Sequence, residues 1–218
     1  MDDLGFFHGF SEDALHFLSD LKANNTRDWF AAHKKTYEAE VKKPAKAFCS
    51  AMTQALHAHT GTLHTAKVFR INRDIRFTKD KTPYNAHLHI LFRKEGSPTA
   101  LFFGLQPDNL VLGAGLFKFE GDQLNAYRQA VAGPRGPALQ EILDAFLAEG
   151  ARLNAPPLKR VPSGFDKDHP RAELLKRKGL ALWLDQGPRR AMEETMVEQT
   201  LASYAWFAPL NDWLEQSL

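Results

Sequence analysis

The densest group of side chains capable of chemistry lies in the segment Lys67–Tyr84, KVFRINRDIRFTKDKTPY. This basic segment has a net charge of +4, whereas the whole chain has a net charge of only +2. Arginine forks and lysine point charges beside hydroxyl groups suit the recognition of phosphate or carboxylate. The segment therefore predicts a basic pocket for an anionic ligand, either a small molecule or nucleic acid. The candidate ligand-binding residues in it are Arg70, Arg73, Arg76, Lys79 and Lys81.

Within the basic segment, β-branched and aromatic residues predict a strand over Val68–Phe77. One face of that strand would be apolar except for Arg73. Because an unpaired buried charge is strongly unfavourable, Arg73 must have a partner, either an internal carboxylate or a bound anion. A second interpretation stays open, in which the basic residues pair with Asp74 and Asp80 and form only a structural ion-pair network.

A hydrolytic or phosphoryl-transfer enzyme is the other alternative. Asp74, Asp80 and Tyr84 have the right side-chain types for catalysis, although the spacing of the acids does not match a common metal-dependent nuclease. His87 and His89 lie on one face of a predicted strand, about 7 Å apart, and can share a metal ion if a third ligand comes from elsewhere. The sequence therefore leaves enzymatic activity open.

A second basic stretch contains Asp168-His169-Pro170-Arg171, which has the residues of a capped helix start. If this helix end faces the basic segment, its backbone donors would add to the anion site, so His169 and Arg171 are further candidate ligand-binding residues. Gly113-Ala114-Gly115 lacks the third glycine and the strand-to-helix setting of a dinucleotide fingerprint. No cofactor is expected.

The elements that must position these residues are helices at both ends and strands between them. Ser11 and Thr26 predict the starts of two helices, and Pro44 predicts a division of the second. Alternating and apolar runs with short turns fill the middle third, from Tyr84 to Phe119. They predict an α+β fold with a single antiparallel sheet, a meander of about four to five strands, flanked by N-terminal and C-terminal helices. We expect one domain over residues 1–218.

The composition is that of an ordinary globular protein, with 44% hydrophobic and 25% charged residues among 218. Cys49 is the only cysteine, so an intramolecular disulfide is impossible. The first residues, MDDLGFF, lack a basic n-region, and no stretch approaches the roughly 20 apolar residues of a membrane span. A cytoplasmic location without membrane association is therefore expected. The oligomeric state does not follow from the sequence.

Several motifs along the chain carry a family resemblance. They are Phe17-Leu18, Asn24-Asn25, Trp29-Phe30, Tyr37 with Pro44, RDIRFTKDKTPY at Arg73–Tyr84, GAGLF at Gly113–Phe117 and HPRAELLKRKGL at His169–Leu180. With these motifs the chain resembles the domain-of-unknown-function family 2461, a largely bacterial group of conserved hypothetical proteins. The resemblance implies an intracellular α+β domain and supplies no mechanism.

Overall fold

The computed structural model describes residues 7–218, and its strands form one antiparallel sheet. The strands are β1 His64–Val68, β2 Leu88–Lys94, β3 Ala100–Leu105, β4 Leu110–Leu116, β5 Arg152–Leu153 and β6 Leu180–Gln186. Their order across the sheet is β1-β2-β3-β4-β6-β5. The predicted α+β class is confirmed. The sheet has more strands than the predicted meander because β6 and the short β5 join it. Most of the stretch MDDLGFF, on which the expected absence of a signal peptide is based, lies outside the described residues.

The helices occupy the N-terminal and C-terminal parts of the chain, as predicted. They are α1 Glu12–Ala23, α2 Arg27–Thr36, α3 Lys43–Thr60, α4 Gln123–Ala132, α5 Gly136–Ala148, α6 Ala172–Leu175, α7 Met196–Trp206 and α8 Ala208–Ser217. A π-helical turn, Tyr37–Lys42, precedes α3, and a 3-10 helix, Pro188–Met192, precedes α7. Within residues 7–218, none of the helices combines the length and apolar character needed to cross a bilayer.

The predicted helix starts are confirmed by their caps. The Ser11 hydroxyl accepts a hydrogen bond from the Ala14 amide at 3.1 Å, and the Thr26 hydroxyl accepts one from the Trp29 amide at 3.2 Å. Each cap satisfies an amide that the first helical turn leaves without a partner. The second of these helices and the turn before it carry Phe30 and Asn25, which contact Tyr84 at the end of the basic segment.

At Pro44 the predicted division takes the form of a change in helix type, since the backbone conformation is helical at Thr36, Tyr37, Lys42 and Lys43. Pro44 lies in the first turn of α3, directly after the π-helical turn Tyr37–Lys42. Proline has no amide hydrogen, and its ring clashes with the preceding turn of a regular α-helix. The wider π-turn accommodates this residue, and such turns are frequent at functional sites.

The strand predicted over Val68–Phe77 is wrong. β1 ends at Val68, and residues 69–83 form an irregular loop with a single bridge, Asn72 to Tyr84. Acidic side chains compete with a strand ladder for the backbone amides here, since Asp74 accepts from the Arg76 amide at 3.2 Å and Asp80 from the Thr82 amide at 2.9 Å. Phe77 is 93% exposed, so its apolar character does not mark a buried face.

The chain divides into two compact units. The first contains the described residues up to Glu95, with Phe102–Leu112 and Asp185–Ser203. Its core includes an aromatic cluster in which Phe48 packs against Phe103, with ring centres 4.8 Å apart, and against Phe92 at 5.9 Å. The whole basic segment belongs to this unit.

The second unit contains Gly96–Leu101, Gly113–Leu184 and Tyr204–Leu218. Its core includes fully buried Tyr127, which stacks on Phe119 with ring centres 4.3 Å apart. The Tyr127 hydroxyl donates to the Leu174 carbonyl at 3.1 Å, which anchors the short helix α6. The expectation of one domain over residues 1–218 stays a prediction.

Candidate anion-binding site

The base of the loop that carries the basic segment is held by backbone hydrogen bonds. The Asn85 amide donates to the Ile71 carbonyl at 2.7 Å, and the Arg73 amide donates to the Pro83 carbonyl at 2.9 Å. Together with the bridge between Asn72 and Tyr84, these bonds close residues 73–83 into a loop whose two ends lie side by side.

A side-chain amide ties this loop to the first helices. The Asn25 amide group donates to the Tyr84 carbonyl at 2.9 Å, and its oxygen accepts from the Tyr84 amide at 3.0 Å. Asn25 thus pairs with Tyr84 as a neighbouring strand would. The Tyr84 ring then stacks on Phe30 of α2, with ring centres 4.2 Å apart. The loop base is therefore positioned by the N-terminal helices.

Arg73 braces the loop from within. Its guanidinium donates to the Asp80 carboxylate at 2.5 Å, to the Thr82 hydroxyl and to the Thr82 carbonyl at 3.3 Å. Hydrogen bonds from Thr82 and Arg73 lower the pKa of Asp80 to about 2. The sequence required a partner for Arg73, and the partner is an internal carboxylate, but Arg73 lies in a loop and not on an apolar strand face.

Arg76 is also paired, on the outer surface of the loop. Its guanidinium makes a two-pronged contact with Asp74, at 2.9 Å and 2.7 Å. These hydrogen bonds lower the pKa of the Asp74 carboxyl. Water screens a pair in such an exposed position, so it shapes the loop more than it stabilises the fold. Lys81 completes the network by donating to the Ile75 carbonyl at 2.8 Å.

Arg70 differs from both of these arginines. Within residues 7–218 its guanidinium makes no hydrogen bond and no ion pair, although it interacts electrostatically with the Asp74 carboxyl. Arg70 lines a cavity of about 350 Å³ together with Arg73, Asp74 and His87. We call this the arginine cavity. Phe69, Asn72, Thr78, Asn85 and His89 complete its wall.

Two stacked imidazoles form one side of the arginine cavity. The rings of His87 and His89 lie parallel with centres 3.7 Å apart. Burial, and then the charge of Arg73, lowers the pKa of His87. Burial, and then His87, lowers the pKa of His89 to about 4. Both rings are therefore neutral near pH 7, with nitrogen atoms that can accept or donate hydrogen bonds.

A second cavity of about 540 Å³ shares Arg70 and Asn72 with the first. Its remaining wall comes from α2, the π-helical turn and the loop base. The contributing residues are Phe30, Ala31, Lys34, Tyr37, Glu38, Lys42, Ile71 and Tyr84. We call it the tyrosine cavity. Burial, and then the charge of Glu38, raises the pKa of Tyr37, so its hydroxyl stays protonated.

The candidate catalytic residues are not brought together. Asp74 lines the arginine cavity, Tyr84 lines the tyrosine cavity, and Asp80 lines neither. Both acids are paired with arginine, which weakens them as proton acceptors. Among residues 7–218, no group of three or more His, Cys, Asp or Glu side chains is arranged to hold a metal ion, so His87 and His89 find no third ligand there.

The remaining candidate residues have other contacts. His169 and Arg171 belong to the second unit, where the His169 ring accepts from the Arg171 amide at 3.0 Å and the Arg171 guanidinium donates to the Val131 carbonyl at 2.7 Å. Lys79 is exposed at the tip of the loop and lines neither cavity.

Sequence reasoning missed the residues that α2 and the loop base contribute. Asn72 and Asn85 line the arginine cavity beside the predicted arginines, and Tyr37 lines the neighbouring one. Asn72 and Asn85 lie inside or next to the basic segment, so their polar side chains were the available signal. Tyr37 lines the same cavity as Arg70 although the two are distant in the chain, so it had no local signal.

The chain matches a known protein family. The family model described as "Conserved hypothetical protein (DUF2461)" matches residues 13–213, which is almost the whole chain. A comparison with curated proteins gives no match. The matched region includes both cavities and the elements that build them. The chain therefore belongs to the DUF2461 family of conserved hypothetical proteins.

Proposed function

We propose that the protein binds an anionic ligand, bearing phosphate or carboxylate, in the arginine cavity. Arg70 is the principal charged contact, and His87 and the side-chain amides of Asn72 and Asn85 supply neutral hydrogen bonds. The observation that carries the proposal is the guanidinium of Arg70, which has no partner among residues 7–218 and lines a cavity, whereas Arg73 and Arg76 are already bound to protein carboxylates.

The pairing of Arg73 and Arg76 gives each arginine a different role. Arg73 is held by Asp80 and Thr82 and sets the shape of the cavity wall, although its positive charge still acts on the ligand. Arg76 is engaged in its ion pair with Asp74. The ion-pair network and the binding site are therefore compatible: the network shapes the loop, and Arg70 remains available to an oxyanion.

The same geometry does not favour catalysis. Asp74, Asp80 and Tyr84 do not line one common cavity, and both acids are paired with arginines, which counts against a joint action on one bond. A binding function needs only Arg70 and its neutral neighbours. We therefore propose a binding module and not a hydrolytic enzyme, located in the cytoplasm.

The proposal is tested by titrating the protein with sulfate and inorganic phosphate while following backbone amide NMR shifts. We expect saturable shifts at the amides of Arg70, Asn72 and His87. Replacing Arg70 with glutamine should weaken binding by about tenfold or more, because hydrogen bonds to charged groups contribute roughly 1.5–3 kcal/mol.

The matched control is Lys79→Gln, which removes one positive charge from the same loop but from neither cavity wall. It should change the affinity by less than about twofold, since a solvent-exposed charge outside the cavity wall is screened. Equal losses in Arg70→Gln and Lys79→Gln would show diffuse attraction to a charged loop and overturn the proposal. So would the absence of saturable shifts.

A further inference from the structure

We infer that the ligand is a small organic phosphate that carries a planar ring, with the phosphate in the arginine cavity and the ring in the tyrosine cavity. This inference rests on the proposed function and extends it by naming the ligand class. A nucleoside monophosphate and an aryl phosphate both belong to this class.

The two cavities are neighbours with a common wall. Arg70 and Asn72 line both of them. The Asn72 side chain makes no hydrogen bond within residues 7–218, so its amide offers one acceptor and two donors at the junction. A ligand that occupies both cavities must therefore pass a free guanidinium and a free amide.

The tyrosine cavity has the chemistry of a ring-binding pocket. Tyr37 contributes a half-buried aromatic ring with a protonated hydroxyl, and the stacked rings of Tyr84 and Phe30 form the floor. Its volume of about 540 Å³ lies within the range of roughly 300–1,000 Å³ that small-molecule sites occupy. The flat faces of these aromatic rings favour a planar ring as the occupant of this cavity.

Charge at the far side of the tyrosine cavity supports an anionic ligand as well. Lys34 lines the cavity, and its ammonium group makes no hydrogen bond or ion pair within the described residues. Lys42, in contrast, is paired with Glu38 at 2.8 Å, so its charge is locally neutralised. A ring flanked by Arg70 and Lys34 experiences a net positive field, which suits a ligand that is an anion overall.

The π-helical turn provides an independent structural reason to assign a function to this cavity. Tyr37 and Glu38 are its first residues, and both line the cavity. A π-turn replaces optimal helical hydrogen bonds with a wider turn, and such turns are concentrated at functional sites. In this chain it presents Tyr37 toward the same space that Arg70 reaches.

The test compares inorganic phosphate, phenyl phosphate and adenosine monophosphate by calorimetry, in the unmodified chain and in two tryptophan variants. Ala31→Trp fills the tyrosine cavity from an exposed helix position. Ala32→Trp is its control, because Ala32 is exposed on the same helix but lines neither cavity.

We expect the affinity for the two ring-bearing phosphates to exceed that for inorganic phosphate by about tenfold or more, since a stacked ring adds buried apolar area. Ala31→Trp should remove that gain and leave inorganic phosphate binding unchanged. Ala32→Trp should change neither. Arg70→Gln should weaken all three ligands.

Other outcomes overturn the inference in distinguishable ways. If the three ligands bind equally, or if both tryptophan variants behave alike, the ring pocket is wrong while the anion site stands. If phenyl phosphate binds but Arg70→Gln has no effect on it, the assigned orientation is wrong. Much tighter binding of a single-stranded oligonucleotide than of adenosine monophosphate identifies a polymeric ligand instead. If none of them binds, the proposed function fails, and the inference fails with it.

Discussion

Arg70 in the first unit and Arg177 in the second use their guanidinium groups in opposite ways. In the second unit, Arg177 is 7% exposed and donates to the Asn154 carbonyl at 2.6 Å, and Arg171 donates to the Val131 carbonyl. In the basic segment of the first unit, Arg70 is exposed and has no such partner within residues 7–218. All three residues are arginines, and the presence or absence of a nearby backbone carbonyl decides whether the guanidinium stabilises the fold or faces a cavity.

The difference shows why charge clusters in a sequence are ambiguous. An arginine beside free backbone carbonyls serves the fold, because its five donors can satisfy them. Burial lowers the pKa of Arg177, which is the price of placing a guanidinium in the interior. An arginine beside a cavity that finds no partner in the described part of the chain, as Arg70 does, remains available to a ligand.

The largest expected effect tests how tightly the second unit is packed. Gly115 has φ +129°, and a Cβ there would collide with the Leu180 carbonyl oxygen. Gly115→Ala should therefore lower the free energy of unfolding by about 3 kcal/mol or more, measured by urea denaturation.

Its control is Gly121→Ala in the same unit. Gly121 also has a positive φ, +50°, but no atom lies within 4 Å of the position its Cβ would take. This variant should cost only about 1–2 kcal/mol, which is the backbone penalty alone. If the two variants lose the same stability, the close approach of Gly115 to Leu180 does not matter.

The next effect compares the two kinds of arginine directly. Arg177→Ala should lower the free energy of unfolding by about 2–4 kcal/mol, because it leaves a cavity and an unpaired Asn154 carbonyl. Arg70→Ala should change it by less than about 0.5 kcal/mol, as expected for an exposed side chain with no partner. Urea denaturation measures both. A large loss of stability in Arg70→Ala would mean that Arg70 stabilises the fold, and the proposed difference between Arg70 and Arg177 would be wrong.

Acid should destabilise the first unit through its stacked histidines. Burial holds the pKa of His89 at about 4, compared with 6.5 for an unperturbed imidazole. Between these values the unfolded chain binds more protons than the native state, so stability is lost as the pH falls through this window. Urea midpoints measured across it should decline, and less so in His89→Phe. Asp80 contributes only at lower pH, since its unfolded pKa is 3.8. An unchanged slope in His89→Phe would show that other groups cause the decline.

The smallest effect concerns the acid beside the proposed ligand. Asp74 lines the arginine cavity and interacts electrostatically with Arg70. Asp74→Asn should tighten sulfate binding by about two- to fourfold, because it removes one screened negative charge next to the anion. The NMR titration with sulfate measures the change. Weaker binding in this variant would mean that the pair of Asp74 with Arg76 is needed to shape the cavity.

Local signals predicted the helices and the existence of a partner for Arg73. Ser11 and Thr26 cap helices through contacts within three residues, so sequence alone contains the information. The requirement for a partner followed from the cost of an unpaired charge. The partner of Arg73 is Asp80, seven residues away in the chain.

The irregular loop and the tyrosine cavity depend on contacts that sequence reasoning could not see. Aromatic and β-branched residues suggested a strand, yet Asp74 and Asp80 take the backbone amides that a ladder would need. Tyr37 and Arg70 meet at one cavity although they are distant in the chain. Propensity describes neighbours in sequence, whereas these features arise from tertiary contacts.

The pairing of Asn25 with Tyr84 also bears on the order of folding. The two residues are 59 positions apart, so the pair cannot form until the chain between them has collapsed. Loop closure over such a distance is slow compared with the formation of a capped helix. During refolding, helical circular dichroism should therefore recover before the protein regains its capacity to bind an anion. Binding competence would be among the last properties that the newly folded chain acquires.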